Sequence, residues 1–227
     1  MAKVHPNAVA PEPAATLVGA AAAAAAAEQE QQPAVLTVWR KSLLFNCEGF
    51  TVFDARGDLA FRVDCYGSGR RAEVVLMDVA GTPLLTVRRK RLSLAEHWVI
   101  YDGDAADPAG PSRPLLSVRR HLSLRASAGK ALAHVTPLGA GAGAAEAYVV
   151  EGSYGRRACA VRDARGDAVA EVRRKESVGD DVFRLVADPR LGAPLAMGLV
   201  IVLDEMFRGG GGRRASARAL LRRTWSA

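Results

Sequence analysis

The sequence predicts a mostly β protein, a closed antiparallel barrel of about twelve strands around a central, buried C-terminal α-helix. Three observations support this fold class. Short apolar segments alternate with turn signals along the chain, an Asp-x-x-Gly turn motif recurs between them, and one segment near the C-terminus is apolar on every side. Regular spacing of short strands and turns is typical of a sandwich or barrel and not of an α/β fold.

The first internal repeat is a turn motif. The segment 53–63 (FDARGDLAFRV) recurs at 162–172 (RDARGDAVAEV) and at 77–87 (MDVAGTPLLTV). An Asp at the first position of a type I turn caps the turn backbone, and a Gly three residues later accepts a positive φ. This spacing predicts three hairpins, each with a bulge beside its turn.

The second repeat is an arginine pair at the end of a strand. It reads LTVRRK at 85–90, LSVRR at 116–120 and AEVRRK at 170–175. Period-2 alternation of aliphatic and polar residues indicates strands with one buried face. We expect strands near residues 35–39, 43–46, 50–53, 59–64, 72–78, 84–89, 97–101, 114–118, 130–135, 147–152, 158–163, 168–174 and 182–187.

The segment 193–207 interrupts the β pattern and predicts a helix. Pro194 suits a first helical turn, Arg208 suits a last one, and Gly209 is well placed just past the end. A helix that is apolar all round is buried in protein or in a membrane, and a run of about 10–14 apolar residues is too short for a bilayer. A barrel of more than about eight strands leaves a hollow interior. We therefore predict that this helix plugs the barrel.

Charge and composition divide the chain into three parts. The formal net charge is +7, and the six arginines from Arg208 onward stand without any acidic residue. We predict an Ala/Pro-rich low-complexity tail at 1–33, the barrel domain at 34–207, and a Gly/Arg-rich basic tail at 208–227, with both tails disordered. Because the basic excess lies mostly in the tail, specific nucleic-acid binding by the core is not expected.

The sequence shows neither a clear targeting signal nor a cysteine or histidine motif. The Ala-rich head has no Arg before Arg40 and no Ser before Ser42, and its apolar run is weak, which argues against a transit or signal peptide. The three cysteines lack CxxC spacing, and the four histidines lack metal-ligand spacing, so neither a disulfide framework, a metal site nor a cofactor is expected. We expect a cytoplasmic monomer without a transmembrane helix, with plasma-membrane association or nuclear entry as open alternatives.

Several of these segments together resemble the LURP-one-related family. The resemblance spans about 34–207 and implies a Tubby-like barrel around a central helix, relatedness to phosphoinositide-binding Tubby-like proteins and to phospholipid scramblases, and a role in plant defence or signalling. The two tails and the loop Gly139–Gly143 depart from the family pattern. The matching stretches are LTVWRKSL (36–43), EGFTVFD (48–54), FRVD (61–64), LMDVAGTPL (76–84), VRRK (87–90), WVIY (98–101) and LAMGLVIVLD (195–204).

Two functional readings follow from the basic residues. The first is a non-enzymatic membrane-surface or phosphoinositide-binding module, with Arg88, Arg89, Lys90 and Arg91 as the candidate contacts for anionic phospholipid headgroups. The ordinary alternative is that these side chains are solvated outer positions that keep the strands soluble. The second reading is a protein-interaction scaffold or nuclear regulator that uses the basic tail, in which Leu220, Leu221 and Trp225 share one helical face.

An enzymatic function is not expected. The sequence lacks a nucleophile–base pairing, a carboxylate dyad, a phosphate loop and a metal cluster. His97 and His121 adjoin strands and are interpreted as ordinary, partly buried side chains. The acidic group Asp102, Asp104 and Asp107 lacks the Gly and the terminal Glu of a calcium loop and is interpreted as an acidic turn.

Overall fold

A computed structural model describes most of the predicted barrel. The described residues are 32–42, 49–66, 73–90, 96–104, 113–121, 131–138, 147–175, 179 and 181–221, with the backbone alone from 208 to 221. Contacts between Cα atoms divide the chain after Pro33, and every element given below lies in the unit Ala34–Ala227. The assignment of 1–33 as a disordered tail stays a prediction, whereas residues 208–221 of the predicted C-terminal tail have helical backbone, as described below.

Twelve strands in the described part of the chain form one closed antiparallel barrel, which confirms the predicted fold class. Neighbours in sequence are neighbours in the barrel, and β1 pairs with β12 from Ala34 opposite Ala187 to Trp39 opposite Val182. The predicted strand at 43–46 lies outside the described residues. The strands are β1 (Ala34–Trp39), β2 (Gly49–Phe53), β3 (Leu59–Tyr66), β4 (Glu73–Met77), β5 (Pro83–Arg89), β6 (His97–Asp102), β7 (Pro114–Arg120), β8 (Ala131–Pro137), β9 (Tyr148–Ser153), β10 (Ala158–Arg162), β11 (Ala168–Arg174) and β12 (Val182–Ala187).

The Asp-x-x-Gly repeat forms three hairpin turns, as predicted. Gly57, Gly81 and Gly166 have φ values of 91°, 90° and 90°. In the first turn the carboxylate of Asp54 accepts backbone N–H groups from Arg56 and Asp58, at 2.8 and 2.9 Å. A register shift stands beside each turn, in β2, β4 and β10, so the predicted bulges are present. The motif therefore connects β2 to β3, β4 to β5 and β10 to β11.

The helix α1 (Ala193–Leu221) passes through the barrel as the predicted plug. Gly198 lies against the barrel wall, where a Cβ atom would be 3.2 Å from Leu85 Cδ1 and 3.3 Å from Ile100 Cδ1. Burial on all sides explains why the segment shows no polar face. The buried members of α1 are Ala196, Met197, Gly198, Leu199, Val200, Ile201, Val202, Leu203, Asp204 and Met206.

The predicted end of this helix at Phe207 is wrong. The helical backbone continues through the glycine run to Leu221. Nucleation is the costly step of helix formation, and the enclosed turns of α1 have already overcome it. Each added Gly then costs only about 1 kcal/mol relative to Ala, and the Arg, Ala and Leu residues that follow are good helix formers.

Candidate functional site

The two sequence repeats mark opposite ends of the barrel. Because each strand is antiparallel to its neighbours, all odd-numbered strands end on the same side. The Asp-x-x-Gly turns lie at the other side, called here the turn end. The strands β5, β7 and β11 end with Arg88–Arg89, Arg119–Arg120 and Arg173–Arg174, and we call this side the arginine end.

These two ends carry charge of opposite sign. Among the described residues, carboxylates outnumber cations at the turn end, and the reverse holds at the arginine end. The turn-end carboxylates are Asp54, Asp58, Asp78, Asp102, Asp104, Asp163, Asp167 and Asp188, and the cations there are Arg56, Arg62, Arg113, Arg162, Arg165 and Arg190. The arginine-end cations are Arg40, Lys41, Arg88, Arg89, Lys90, Arg119, Arg120, Arg156, Arg157, Arg173, Arg174, Lys175 and Arg184, and the carboxylates there are Asp64, Glu73, Glu96, Glu171, Asp181, Asp204 and Glu205.

Strand alternation separates the two arginines of each repeat. Val87, Val118 and Val172 are buried in the core. The residue after each valine therefore lies on the outer face, and the next one lies on the inner face at the rim of the barrel. The outer arginines are Arg88, Arg119 and Arg173, and the inner ones are Arg89, Arg120 and Arg174.

Two of the inner arginines, Arg89 and Arg120, lie near the point where α1 leaves the barrel. The Arg120 guanidinium lies 5.0 Å from the ring centre of Phe207 on α1, and Arg89 lies 5.3 Å from the ring centre of Trp98. Glu96 joins them, with carboxylate oxygens 2.6 Å from Arg120 Nη1 and 3.7 Å from Arg89 Nη2. These arginines thus cap the core and pair with a carboxylate.

A buried polar cluster holds α1 on the other side of the same end. The Tyr154 hydroxyl donates to Asp204 Oδ1 at 3.2 Å, and Arg40 Nε lies 3.3 Å from the same oxygen. Burial, and next the charge of Asp204, raises the pKa of Tyr154. Arg157 has a φ of 51° and stacks its guanidinium 4.4 Å from the Tyr154 ring centre and 4.3 Å from that of Phe183. A buried acid on the plug therefore meets donors from the barrel rim.

The predicted headgroup residues have different surroundings. Arg88 pairs with Glu73 at 3.0 Å and stacks 5.7 Å from the Tyr101 ring centre. Arg89 belongs to the inner set described above. Lys90 is exposed, and its backbone N–H donates to His97 at 2.8 Å. Arg91 lies outside the described residues.

The outer face of β5 to β8 carries exposed positive charge at this end. Lys90 and Arg119 are exposed, and no carboxylate among the described residues pairs with either side chain. Between them, His97 is buried and hydrogen-bonds Ser117 at 2.7 Å. Burial lowers the pKa of His97, and the charges of Arg119 and Lys90 lower it further. The titration of His97 thus registers the positive potential of this surface.

A second feature of the outer wall is a groove of about 350 Å³ on β9 to β11. Ala158 and Ala160 form its floor, because their small side chains leave room between ion pairs. The ion pairs are Arg162 with Glu151, at 3.3 Å, and Arg173 with Glu171. Cations and carboxylates alternate along its walls, so the groove presents no excess of one charge.

Catalytic and metal chemistry receive no support from the side chains in the described ranges. Burial raises the pKa of the Cys159 thiol to about 12, which keeps it protonated and unreactive at neutral pH. Among these side chains, no three His, Cys, Asp or Glu residues converge as metal ligands would. Within the same ranges, no helix is long and apolar enough to span a bilayer.

Sequence comparison identifies the family. The profile of the LURP-one-related family matches residues 34–204. The chain belongs to this family. It is 44% identical over 182 residues to protein LURP-one-related 8 of Arabidopsis thaliana, covering 77% of this chain and 87% of the relative. It is 40% identical over 186 residues to protein LURP-one-related 17 of the same plant, covering 76% and 82%.

A solved structure shares the fold of this LURP-one-related chain. An X-ray structure of an Arabidopsis thaliana protein aligns with a TM-score of 0.51 and 24% identity, covering 77% of this chain and 91% of that one. At this identity the similarity concerns the fold alone. The relation to Tubby-like proteins and scramblases stays a prediction.

Sequence reasoning missed two features of this end. The cluster of Tyr154, Arg157 and Asp204 was not predicted, although the isolated Asp at the end of an apolar helix was a signal for a buried partner. The contact between His121 and His134, described below, was also missed. Neither the cluster nor the histidine pair has a spacing in sequence that a motif would reveal.

Proposed function

We propose that this chain is a non-enzymatic binding module that attaches to anionic phospholipid surfaces, including phosphoinositide-containing membranes, through the arginine end of its barrel. The observation that carries the proposal is the separation of charge between the two ends. A basic surface near an anionic membrane contributes about 1 kcal/mol per Lys or Arg. The acidic turn end is repelled by the same membrane, so the barrel is oriented with the arginine end toward the lipid.

Exposed side chains at the arginine end suit such a surface. Lys90 and Arg119 present unshared positive charge on the outer wall. Trp39 is also exposed, and the Lys41 ammonium lies 5.2 Å from its ring centre. An amphipathic ring beside a cation is typical of the lipid–water interface. We propose Lys90, with Arg119, as the first contacts for headgroups.

Arg88, Arg89 and Arg91 are further candidates for headgroup contacts within this proposal, but their surroundings differ. Arg88 and Arg89 already have carboxylate and aromatic partners, so a headgroup has to compete with Glu73 and Glu96. Their main contribution is to shape the rim and to raise the local potential. For Arg91 the proposal rests on the sequence alone.

The cellular setting is part of the same proposal. We infer a cytoplasmic protein that associates peripherally with the plasma membrane and acts in plant defence or signalling, as the family resemblance implies. The alternative is a protein-interaction scaffold or nuclear regulator that works through the basic tail. One observation favours this alternative, namely that the backbone of α1 carries the Arg-rich sequence onward to Leu221 as helix.

Co-sedimentation with liposomes separates these functions. The full chain and residues 34–207 are compared on vesicles of neutral lipid, of neutral lipid with phosphatidylserine, and of neutral lipid with a phosphoinositide. Binding of 34–207 to the anionic vesicles is the expected result. Binding by the full chain alone would assign adsorption to the tail, and no binding by either would favour the scaffold.

A further inference from the structure

His121 and His134 form a close pair on the outer wall of the arginine end. His121 Nδ1 and His134 Nε2 are 2.9 Å apart, and the two ring centres are 5.1 Å apart at an interplanar angle of 63°. One nitrogen donates and the other accepts, so the pair shares a single proton at this contact. Both side chains reach solvent. Neither the core nor the rim cluster uses them.

Arg119 shares the surface of this pair. It lies directly opposite His134 in the register of β7 and β8. Val118 and Val135 are buried in the core, so Arg119, His121 and His134 all belong to the outer face. Two histidines and an exposed arginine are thus gathered on two neighbouring strands.

The charged and titratable groups around this cluster leave it positive. On β6, His97 lies opposite Arg119, and on β9 the uncharged Val149 lies opposite His134. The carboxylates on these neighbours are already engaged. Glu96 is 2.6 Å from Arg120, and Glu151 is 3.3 Å from Arg162.

An oxyanion fits this arrangement better than a cation does. The two facing nitrogens are too close for an acceptor to lie between them, so binding requires one ring to turn, which frees an N–H donor beside Arg119. A phosphate group offers several acceptor oxygens in a compact tetrahedron, and the arginine fork matches two of them.

We propose that Arg119, His121 and His134 form a phosphate-binding site for a phosphomonoester or inorganic phosphate. This site deepens the proposed function. It rests on that function for the source of the phosphate, which is a lipid headgroup. A soluble phosphate is the other source with the same chemistry.

Histidine side-chain NMR on the full chain tests the site. The imidazole signals are assigned from His121→Gln and His134→Gln and followed during titration with inorganic phosphate. The signals of both rings are expected to shift in a saturable way. Arg119→Gln should weaken this binding by about tenfold, since a charged hydrogen-bond partner is lost. Arg165→Gln, which removes one positive charge at the turn end, should change it by less than about twofold.

Unshifted histidine signals during the phosphate titration would overturn the proposal.

Vesicles carrying phosphatidic acid distinguish the two sources. Shifts on these vesicles assign the phosphate to a lipid. Saturable shifts with inorganic phosphate, without adsorption to any anionic vesicle, leave the site standing while the proposed function fails. Adsorption to anionic vesicles with unshifted histidine signals would leave the proposed function standing, while the phosphate site fails.

Discussion

The hydroxyl of Tyr154 donates a 3.2 Å hydrogen bond to the carboxylate of Asp204. Tyr154 follows β9, and Asp204 lies on α1, so the bond joins the rim of the barrel to its plug. Apolar packing alone lets a helix slide or rotate among similar side chains. A single buried carboxylate with donors on one side fixes both the depth and the rotation of α1.

Removing this bond should weaken the fold in a graded way. Tyr154→Phe should lower the free energy of unfolding by about 1–2 kcal/mol, the cost of a lost buried hydrogen bond. Asp204→Ala should lower it by about 3–5 kcal/mol, because Arg40 and Tyr154 then lose a charged partner. Urea unfolding followed by circular dichroism measures both. Tyr101→Phe on the outer wall is the control, and an Asp204→Ala variant as stable as this control would refute the role of the cluster.

The close approach of α1 to the wall predicts a size limit at Gly198. Gly198→Leu should destabilise the protein by about 1–3 kcal/mol, because Leu85 and Ile100 leave no room for a side chain. Gly198→Ala should be nearly neutral, since a small displacement of those side chains opposes a gain in helix propensity of about 1 kcal/mol. Thermal unfolding compares the two variants. Equal stability of Leu and Ala would mean that α1 does not pack against β5 and β6 as described.

The turn glycines predict backbone strain without steric conflict. Gly57 and Gly166 have φ values of 91° and 90°, and a Cβ atom at either would meet nothing within 4 Å. Valine at either position should therefore cost about 1–3 kcal/mol through the backbone alone. Gly155 also has open space but no positive φ, so Gly155→Val is the matched control. Equal tolerance of valine at all three positions in chemical denaturation would contradict the turn assignment.

The buried His97 predicts a loss of stability in acid. Burial lowers the pKa of His97 below its ordinary value of 6.5, with help from Arg119 and Lys90. The unfolded chain therefore takes up this proton first as the pH falls. The effect of His97 on the free energy of unfolding is absent above the pKa of the unfolded chain. It becomes destabilising as the pH drops from 6.5 toward the pKa of His97 in the folded protein.

Replacing this histidine should flatten the pH dependence. In urea titrations from about pH 7.5 to about pH 5.5, His97→Gln should lose less unfolding free energy than the unmodified chain does. Glutamine retains a partner for Ser117, so the comparison isolates the charge. The same slope in both proteins would show that His97 is not the group responsible.

The elements of the fold were accessible from sequence because each has a local cause. The turns follow from Asp and Gly three residues apart, and the plug follows from an apolar run without a polar face. The barrel then follows from the number of strands and the need to fill the interior. The helix end was not accessible, because Gly209 suits an αL C-terminal cap but a glycine also adopts helical φ and ψ, and here the helix continues through it.

The site was only partly accessible. The arginine pairs were visible as a repeat, and alternation predicts which member lies on the outer face. Only the aligned strands show that the outer Arg88 and Arg173 pair with Glu73 and Glu171. Arg89 and Arg120 meet at Glu96 only after β5, β6 and β7 align. Tyr154 and Asp204 are 50 residues apart, so neither predicts the other. Contacts between distant strands need the register, which local patterns do not supply.

The central claim, that the arginine end faces an anionic membrane, is tested most directly by reversing charge at one end at a time. The variant Lys90→Glu/Arg119→Glu and its matched control Arg113→Glu/Arg165→Glu change net charge equally at the arginine end and the turn end. Their binding to vesicles with about 30% phosphatidylserine is measured on the full chain, in which the basic tail is constant. The account predicts a loss of about tenfold or more for the arginine-end variant and less than about twofold for the control. Equal losses in both variants would contradict it.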